Sequence, residues 1–160
     1  MKVAVIGGTG GMGKTLIRFF TDNGISAKAI GRKTLSPMEI LEESDVIFIS
    51  VPSLSLGYAV GLLKQINLSK KLVVSLGSIM SFDKNVLSSL KSSLLHVHQL
   101  FGPMVYPFVD QKIILSGDVN HAFSKKLSTL FKKNGVSIKI LSQQKHDGLM
   151  ANIQAISQFS

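Results

Sequence analysis

Near its amino end the chain passes from a short apolar run straight into a cluster of glycines: VAVIGGTGGMGKTL, residues 3 to 16. Few segments restrict folding so strongly. A strand must stop, turn on residues without side chains, and restart as a helix within a few positions. Two phosphate-binding patterns overlap in it. Gly8, Gly10 and Gly13 spell G-x-G-x-x-G, the turn that receives a dinucleotide pyrophosphate. Gly8 to Gly13 followed by Lys14 and Thr15 also spell G-x-x-x-x-G-K-T, a loop for nucleoside triphosphates.

Downstream residues separate the two. A triphosphatase holds magnesium with an aspartate at the end of another apolar strand. In DVIFIS the aspartate, Asp45, comes first, and KLVVSLGS has none. VYPFVD ends in Asp110, but Pro107 makes it a poor buried strand. The dinucleotide pattern fits instead, because one helix separates the loop from the next strand in a compact βαβ unit. Gly8 is then expected to make the tight turn, Gly10 to admit the pyrophosphate, and Gly13 to let helix pack on strand. The expected cofactor contacts in the loop are Gly8, Thr9, Gly10, Gly11, Met12 and Gly13.

Strand and helix patterns alternate along the whole chain. KVAVIG, SAKAIG, DVIFISVP, KLVVSLGS, LLHVHQLFGP, KIILSG and VSIKIL read as strands. Between them lie helical patterns: GKTLIRFFTDNG closed by Gly24, SPMEILEES with Ser36 as N-cap and Pro37 at its first position, LSLGYAVGLLKQI, FDKNVLSSLKSS, and His121 to about Lys133. A last helix starts near Gln143. This is the signature of an α/β fold, a doubly wound, Rossmann-like, mostly parallel sheet with helices on both faces. Ligands of such sheets sit at the carboxyl ends of the strands, so Gly8, Pro52, Ser78 and His98 should converge on one rim.

The second strand bears on cofactor choice. NAD enzymes place an acid about twenty residues after the loop, on the ribose hydroxyls. Here AIGRKTLS offers Arg32 and Lys33, and the next acid is Glu39. Two cations attract a 2′-phosphate that a carboxylate would repel. NADP is therefore expected as the preferred cofactor, with NAD as the weaker one.

The formal charge of +9 suits small phosphates and carboxylates as well as nucleic acid. The lysine doublets 125–126 and 132–133 fall on nearly the same helical face, which reads as a solvated surface. With no RNP-like strand or zinc-finger spacing, nucleic acid is not an expected partner. No run of about eighteen apolar residues suggests a membrane span, and the apolar start is too short for a signal peptide. Cysteine is absent, which removes disulfides and thiolate chemistry; no metal is expected, and a reducing cytoplasm is the expected compartment.

Several segments, in order, resemble the prephenate dehydrogenase family of tyrosine biosynthesis. GGTGGMGKTLIRFF is similar to its opening loop, and DVIFISVP to its third strand, which ends in Val-Pro beside the nicotinamide. VVSLGSIMS resembles a segment usually written Gly/Ala-Ser-Val-Lys. HVHQLFGP resembles His-Pro-Met-Phe-Gly-Pro, and KHDGLMANIQA resembles the Glu-His-Asp start of a helix leading into a second domain. The resemblance implies NAD(P)-dependent oxidative decarboxylation of prephenate or its amino analogue arogenate. It implies that Val51 and Pro52 flank the nicotinamide, and that His98 accepts a hydrogen bond from the ring hydroxyl while hydride leaves that carbon. Ser78 matches the serine that orients the histidine or the substrate hydroxyl.

The chain departs from the family at Gln99 and Leu100 in place of Pro-Met, at Met80 in place of a common lysine, and at Gln158 in place of a histidine. The resemblance implies a dinucleotide-binding domain over residues 1–142, with 143–160 starting a helix toward a helical domain. That domain would supply the homodimer contact and a substrate-binding arginine. Leu149, Met150, Ile153, Ile156 and Phe159 form an apolar stripe on this helix, expected to need cover. Two other functions fit the same residues: a non-catalytic NADP-binding module or sensor, and an NADP-linked reductase of another substrate.

Overall fold

The computed structural model describes residues 1–158, with side chains through Asn152. Seven strands form one sheet: β1 (Val3–Ile6), β2 (Ala27–Ile30), β3 (Val46–Ile49), β4 (Leu72–Ser75), β5 (Ser93–Gln99), β6 (Lys112–Gly117) and β7 (Ser137–Ile140), in spatial order β2-β1-β3-β4-β5-β6-β7. Helices α1 (Gly11–Asp22), α2 (Pro37–Glu43), α3 (Leu56–Leu63), α4 (Met80–Leu87), α5 (Ala122–Lys133) and α6 (Gln143–Gln158) cover the two faces, and a short 3-10 turn at Ser53–Ser55 leads into α3. The expected Rossmann-like α/β architecture is present.

Alternation along each strand divides the core into two layers. Val3, Val5, Val46, Phe48, Leu72 and Val74 face α1 and α5, where Phe19, Phe20 and Phe131 join them. Ala4, Ile6, Ile47, Ile49 and Val73 face the other way, toward Leu41 of α2 and Leu56, Ala59 and Leu63 of α3. Strands buried on both faces must be apolar at every position, which is why VAVI and VIFI show no polar alternation.

β1 to β5 run parallel, whereas β6 is antiparallel to β5 and β7 is parallel to β6. The reversal follows from the connection. Between Gln99 and Lys112 the chain makes no helix, so it returns beside β5 instead of crossing over. Because β2 and β3 flank β1 on opposite sides, the order reverses between β1 and β3, and their carboxyl ends open a crevice there. Ser36 does precede α2 with Pro37 behind it, but its side chain makes no capping hydrogen bond.

Candidate functional site

The crevice begins at the glycine loop. Gly7, not Gly8, makes the tight turn: its φ is +85°, and a side chain there would strike the Ser50 carbonyl at the end of β3. Gly8 serves a different constraint, since a Cβ on it would lie 2.7 Å from the Ala29 Cα on β2. Gly13 lets α1 approach the turn, because a Cβ on it would collide with the Gly7 carbonyl and come within 2.6 Å of the Gly8 Cα. Gly10 caps α1 with no side-chain hydrogen bond, and no acidic residue lies in the first turn. The first-turn N–H groups of α1 therefore remain free for an anion.

An open cleft of about 670 Å³ lies over this turn, lined among others by Thr9, Gly10, Arg32, Val51 and Pro52. An adjoining depression adds Lys33 and Thr34 to Thr9 and Arg32. The turn carrying the cations is closed on itself. Gly31 N–H donates to the Thr34 hydroxyl at 2.9 Å, and Thr34 N–H returns to the Gly31 carbonyl at 3.1 Å. Gly8 and Gly13 are buried behind the cleft, and Met12 packs into the core against Phe19 and its neighbours. Sequence reasoning missed Leu54, Ser55 and Tyr58, which form the cleft's outer wall. Leu54 is fully exposed and Tyr58 half exposed, and large apolar groups left in water at a helix start were the available signal.

Thr15, which a triphosphate loop would keep for magnesium, is engaged elsewhere. Its hydroxyl donates to the Pro103 carbonyl, with the Gly11 carbonyl 3.2 Å away. This bond ties the Phe101-Gly102-Pro103 segment to the start of α1. Aromatic packing finishes the attachment: the Phe108 ring lies tilted 4.9 Å from that of Phe19 and 5.0 Å from that of Phe101, and the Tyr106 hydroxyl donates to Asp22 at 2.6 Å. Arg18 lies 4.3 Å from the Tyr106 ring centre and 3.6 Å from Asp22. It is committed to this contact.

His98 stands near the carboxyl end of β5, half-buried. Its Nδ1 lies 2.6 Å from Nε2 of His146, which is completely buried on α6. His146 Nδ1 in turn lies 2.8 Å from the Asp147 carboxylate. Burial pushes the His98 imidazole below its ordinary value, His146 adds to that, and the Asp147 charge partly opposes it. For Asp147 burial works upward, but hydrogen bonds from Ser81, His146 and the Met80 backbone outweigh it and hold the carboxyl at about 2.

Asp147 also accepts from the backbone N–H groups of Met80 at 3.1 Å and Ser81 at 2.9 Å, the first turn of α4. The segment after β4 is thereby joined to the histidine pair. Ser78 lies in that segment, exposed, and makes no hydrogen bond to His98 among the described residues; the ring contact of His98 goes to His146. Ser78 and His98 lie outside the lining of the main cleft. Sequence reasoning had quoted His146 and Asp147 without giving them a role.

Lys125, Lys126, Lys132 and Lys133 are exposed on α5. No helix of the described residues is long and apolar enough to cross a membrane. On α6, Leu149 is 43% exposed. The Ile153, Ile156 and Gln158 side chains and Phe159 lie outside the described residues.

No protein-family model matches the chain. A protein of Methanocaldococcus jannaschii described as a probable arogenate/prephenate dehydrogenase is 21% identical over 184 aligned positions, covering 100% of this chain and 41% of its own length. Among solved structures, an imine reductase from Bacillus cereus superposes with a TM-score of 0.75 at 17% identity, over 99% of this chain and 60% of its own. The Myxococcus stipitatus imine reductase in complex with NAD+ gives 0.72 at 19%, over 99% and 62%. The Aspergillus terreus reductive aminase in complex with NADPH and ethyl levulinate gives 0.69 at 15%, over 98% and 62%. The chain thus spans 41% of the curated relative and about 60% of the solved structures it matches, and what it shares with the solved structures is the fold.

Proposed function

We propose that the chain is the nucleotide-binding part of a nicotinamide-dependent oxidoreductase, and that its reaction is the oxidative decarboxylation of prephenate or arogenate. The observation that carries the reading is one pairing in a single molecule. A glycine turn with a free helix end lies between β1 and β3, and a histidine anchored through Nδ1 stands at the end of β5. The bound nicotinamide would supply hydride acceptance. The chain's own residues hold and exclude. The α1 N-terminus and Gly10 receive the pyrophosphate, and Arg32 and Lys33 receive the 2′-phosphate of NADP, with NAD the weaker ligand. Val51 and Pro52 border the nicotinamide end.

His98 Nε2 makes no hydrogen bond among the described residues, so it is free to take the proton of a substrate hydroxyl. Ser78, exposed on the segment joined to Asp147, serves as a hydroxyl contact to substrate. The distant M. jannaschii relative supports the same substrate class. A homodimer through the carboxyl-terminal region and a cytoplasmic setting complete the proposal.

The second reading is an NADPH-linked reductase of a carbon–nitrogen or carbonyl double bond, favoured by the imine reductase and reductive aminase neighbours. Turnover decides. NADP reduction on adding prephenate or arogenate, using the gene's full reading frame, supports the dehydrogenase. Imine-dependent NADPH oxidation, with both acids inert, would replace it by the reductase.

A further inference from the structure

The proposed chemistry uses only the Nε2 side of His98. Behind it stands a histidine–aspartate pair that the reaction as described leaves idle. His146 is fully buried and Asp147 is partly exposed, and together they extend a chain of short contacts away from His98. The order of donors along that chain follows from one end. A carboxylate only accepts, so the proton between Asp147 and His146 must sit on His146 Nδ1. A neutral imidazole with its proton on Nδ1 has a lone pair on Nε2. That lone pair faces His98 Nδ1 at 2.6 Å, so His98 must supply the proton there. Neutral His98 then carries its hydrogen on Nδ1 and its lone pair on Nε2.

We propose that His146 and Asp147 are positioning residues that hold His98 in its Nδ1–H tautomer and relay its proton inward when Nε2 takes one up. The inference rests on the dehydrogenase reading for its use, though not for its geometry. In the proton step, the substrate O–H bond breaks as an N–H bond forms at His98 Nε2. The His98 Nδ1–H bond then breaks as an N–H bond forms at His146 Nε2. The positive charge ends on His146, beside the Asp147 carboxylate, and no electrons are exchanged with the relay. An orienting carboxylate behind a base histidine commonly fixes tautomer and stabilises the imidazolium. Here a second histidine lengthens that arrangement by one ring. The carboxylate does further work, since the same Asp147 caps α4 through Met80 and Ser81. Alignment of the base and placement of the Ser78 segment are therefore set by one side chain.

The test is a long-range proton–nitrogen NMR spectrum of the chain labelled with 15N-histidine, at neutral pH, assigned with His98→Asn and His146→Asn. The expected spectrum shows His98 and His146 each protonated at Nδ1 and unprotonated at Nε2. In His146→Leu, His98 should redistribute toward the Nε2–H form, and turnover should drop about tenfold or more with KM and cofactor affinity held. A wild-type His98 protonated at Nε2, or a His146 protonated on both nitrogens, overturns the proposal. The wild-type spectrum decides alone if His146→Leu does not fold. A protein inert toward prephenate and arogenate, yet with His98 as Nδ1–H, would sink the dehydrogenase reading and leave the tautomer assignment standing.

Discussion

The carboxylate of Asp83 occupies the space that a side chain on Gly77 would fill. Asp83 is 3% exposed and hydrogen-bonded to the Ser75 hydroxyl, and burial raises its carboxyl above the ordinary range despite that bond. The contact shapes the turn between β4 and α4 that carries Ser78. Gly77→Ala should therefore cost about 1–3 kcal/mol, as overpacking of a buried site does. The cost should shrink in an Asp83→Ala background, where the obstructing group is gone. Equal costs in both backgrounds, measured by denaturant titration, would show that the two residues do not collide.

Stability should fall with acid through a histidine outside the proposed chemistry. His96 is buried on β5, neither ring nitrogen has a partner among the described residues, and burial lowers it from 6.5 to about 4. A depressed histidine stays neutral in the folded chain while the unfolded chain takes up a proton. Its contribution is complete above 6.5 and is lost as pH falls toward about 4, a loss of about 3 kcal/mol over that range. His98 has the same sign, and Asp147, held at about 2, stays ionised across this window. His96→Leu should flatten the stability profile between those limits relative to the parent. Parallel profiles would show that His96 is already solvated.

Cofactor choice is assigned to Arg32. NADP should bind more tightly than NAD, and Arg32→Ala should erase most of the difference. A charge-assisted phosphate contact is worth about 1.5–3 kcal/mol, so the parent's preference should be about tenfold or greater. Equal affinities in the unmutated chain would end this assignment.

For His98, the direction of its shift sets the pH profile. The proposed proton step requires the base form, and burial with His146 nearby places its titration below 6.5. With prephenate or arogenate as substrate, kcat/KM should rise with pH along a limb centred below 6.5 and then level off. His98→Asn should lower turnover about 100-fold or more while cofactor affinity holds within a few fold. An unchanged rate in that variant would remove His98 from the proton step.

The fold was legible because buried parallel strands are apolar on both faces, and VAVI and VIFI are apolar and buried at every position. The glycine loop was legible as a turn but not in its division of labour. Gly7 and Gly8 are adjacent, and which one turns depends on where β1 ends against Ser50. The antiparallel return of β6 hung on a loop whose anchor, Thr15 on Pro103, spans 88 positions. His146 went unassigned for the same reason, lying 48 residues from His98 with no local pattern to pair them. Local periodicity reports elements; contacts between distant elements decide which of their polar residues meet.

Whether the cleft between β1 and β3 receives a nicotinamide dinucleotide, as proposed, is decided by a fluorescence titration of this chain with NADPH. One saturable site per chain is predicted, displaced by NADP, more weakly by NAD, and untouched by magnesium-ATP because Thr15 is held by Pro103. Failure to bind NADPH and NADH, together with saturable magnesium-ATP binding, would contradict the account and restore the triphosphate reading of the glycine loop.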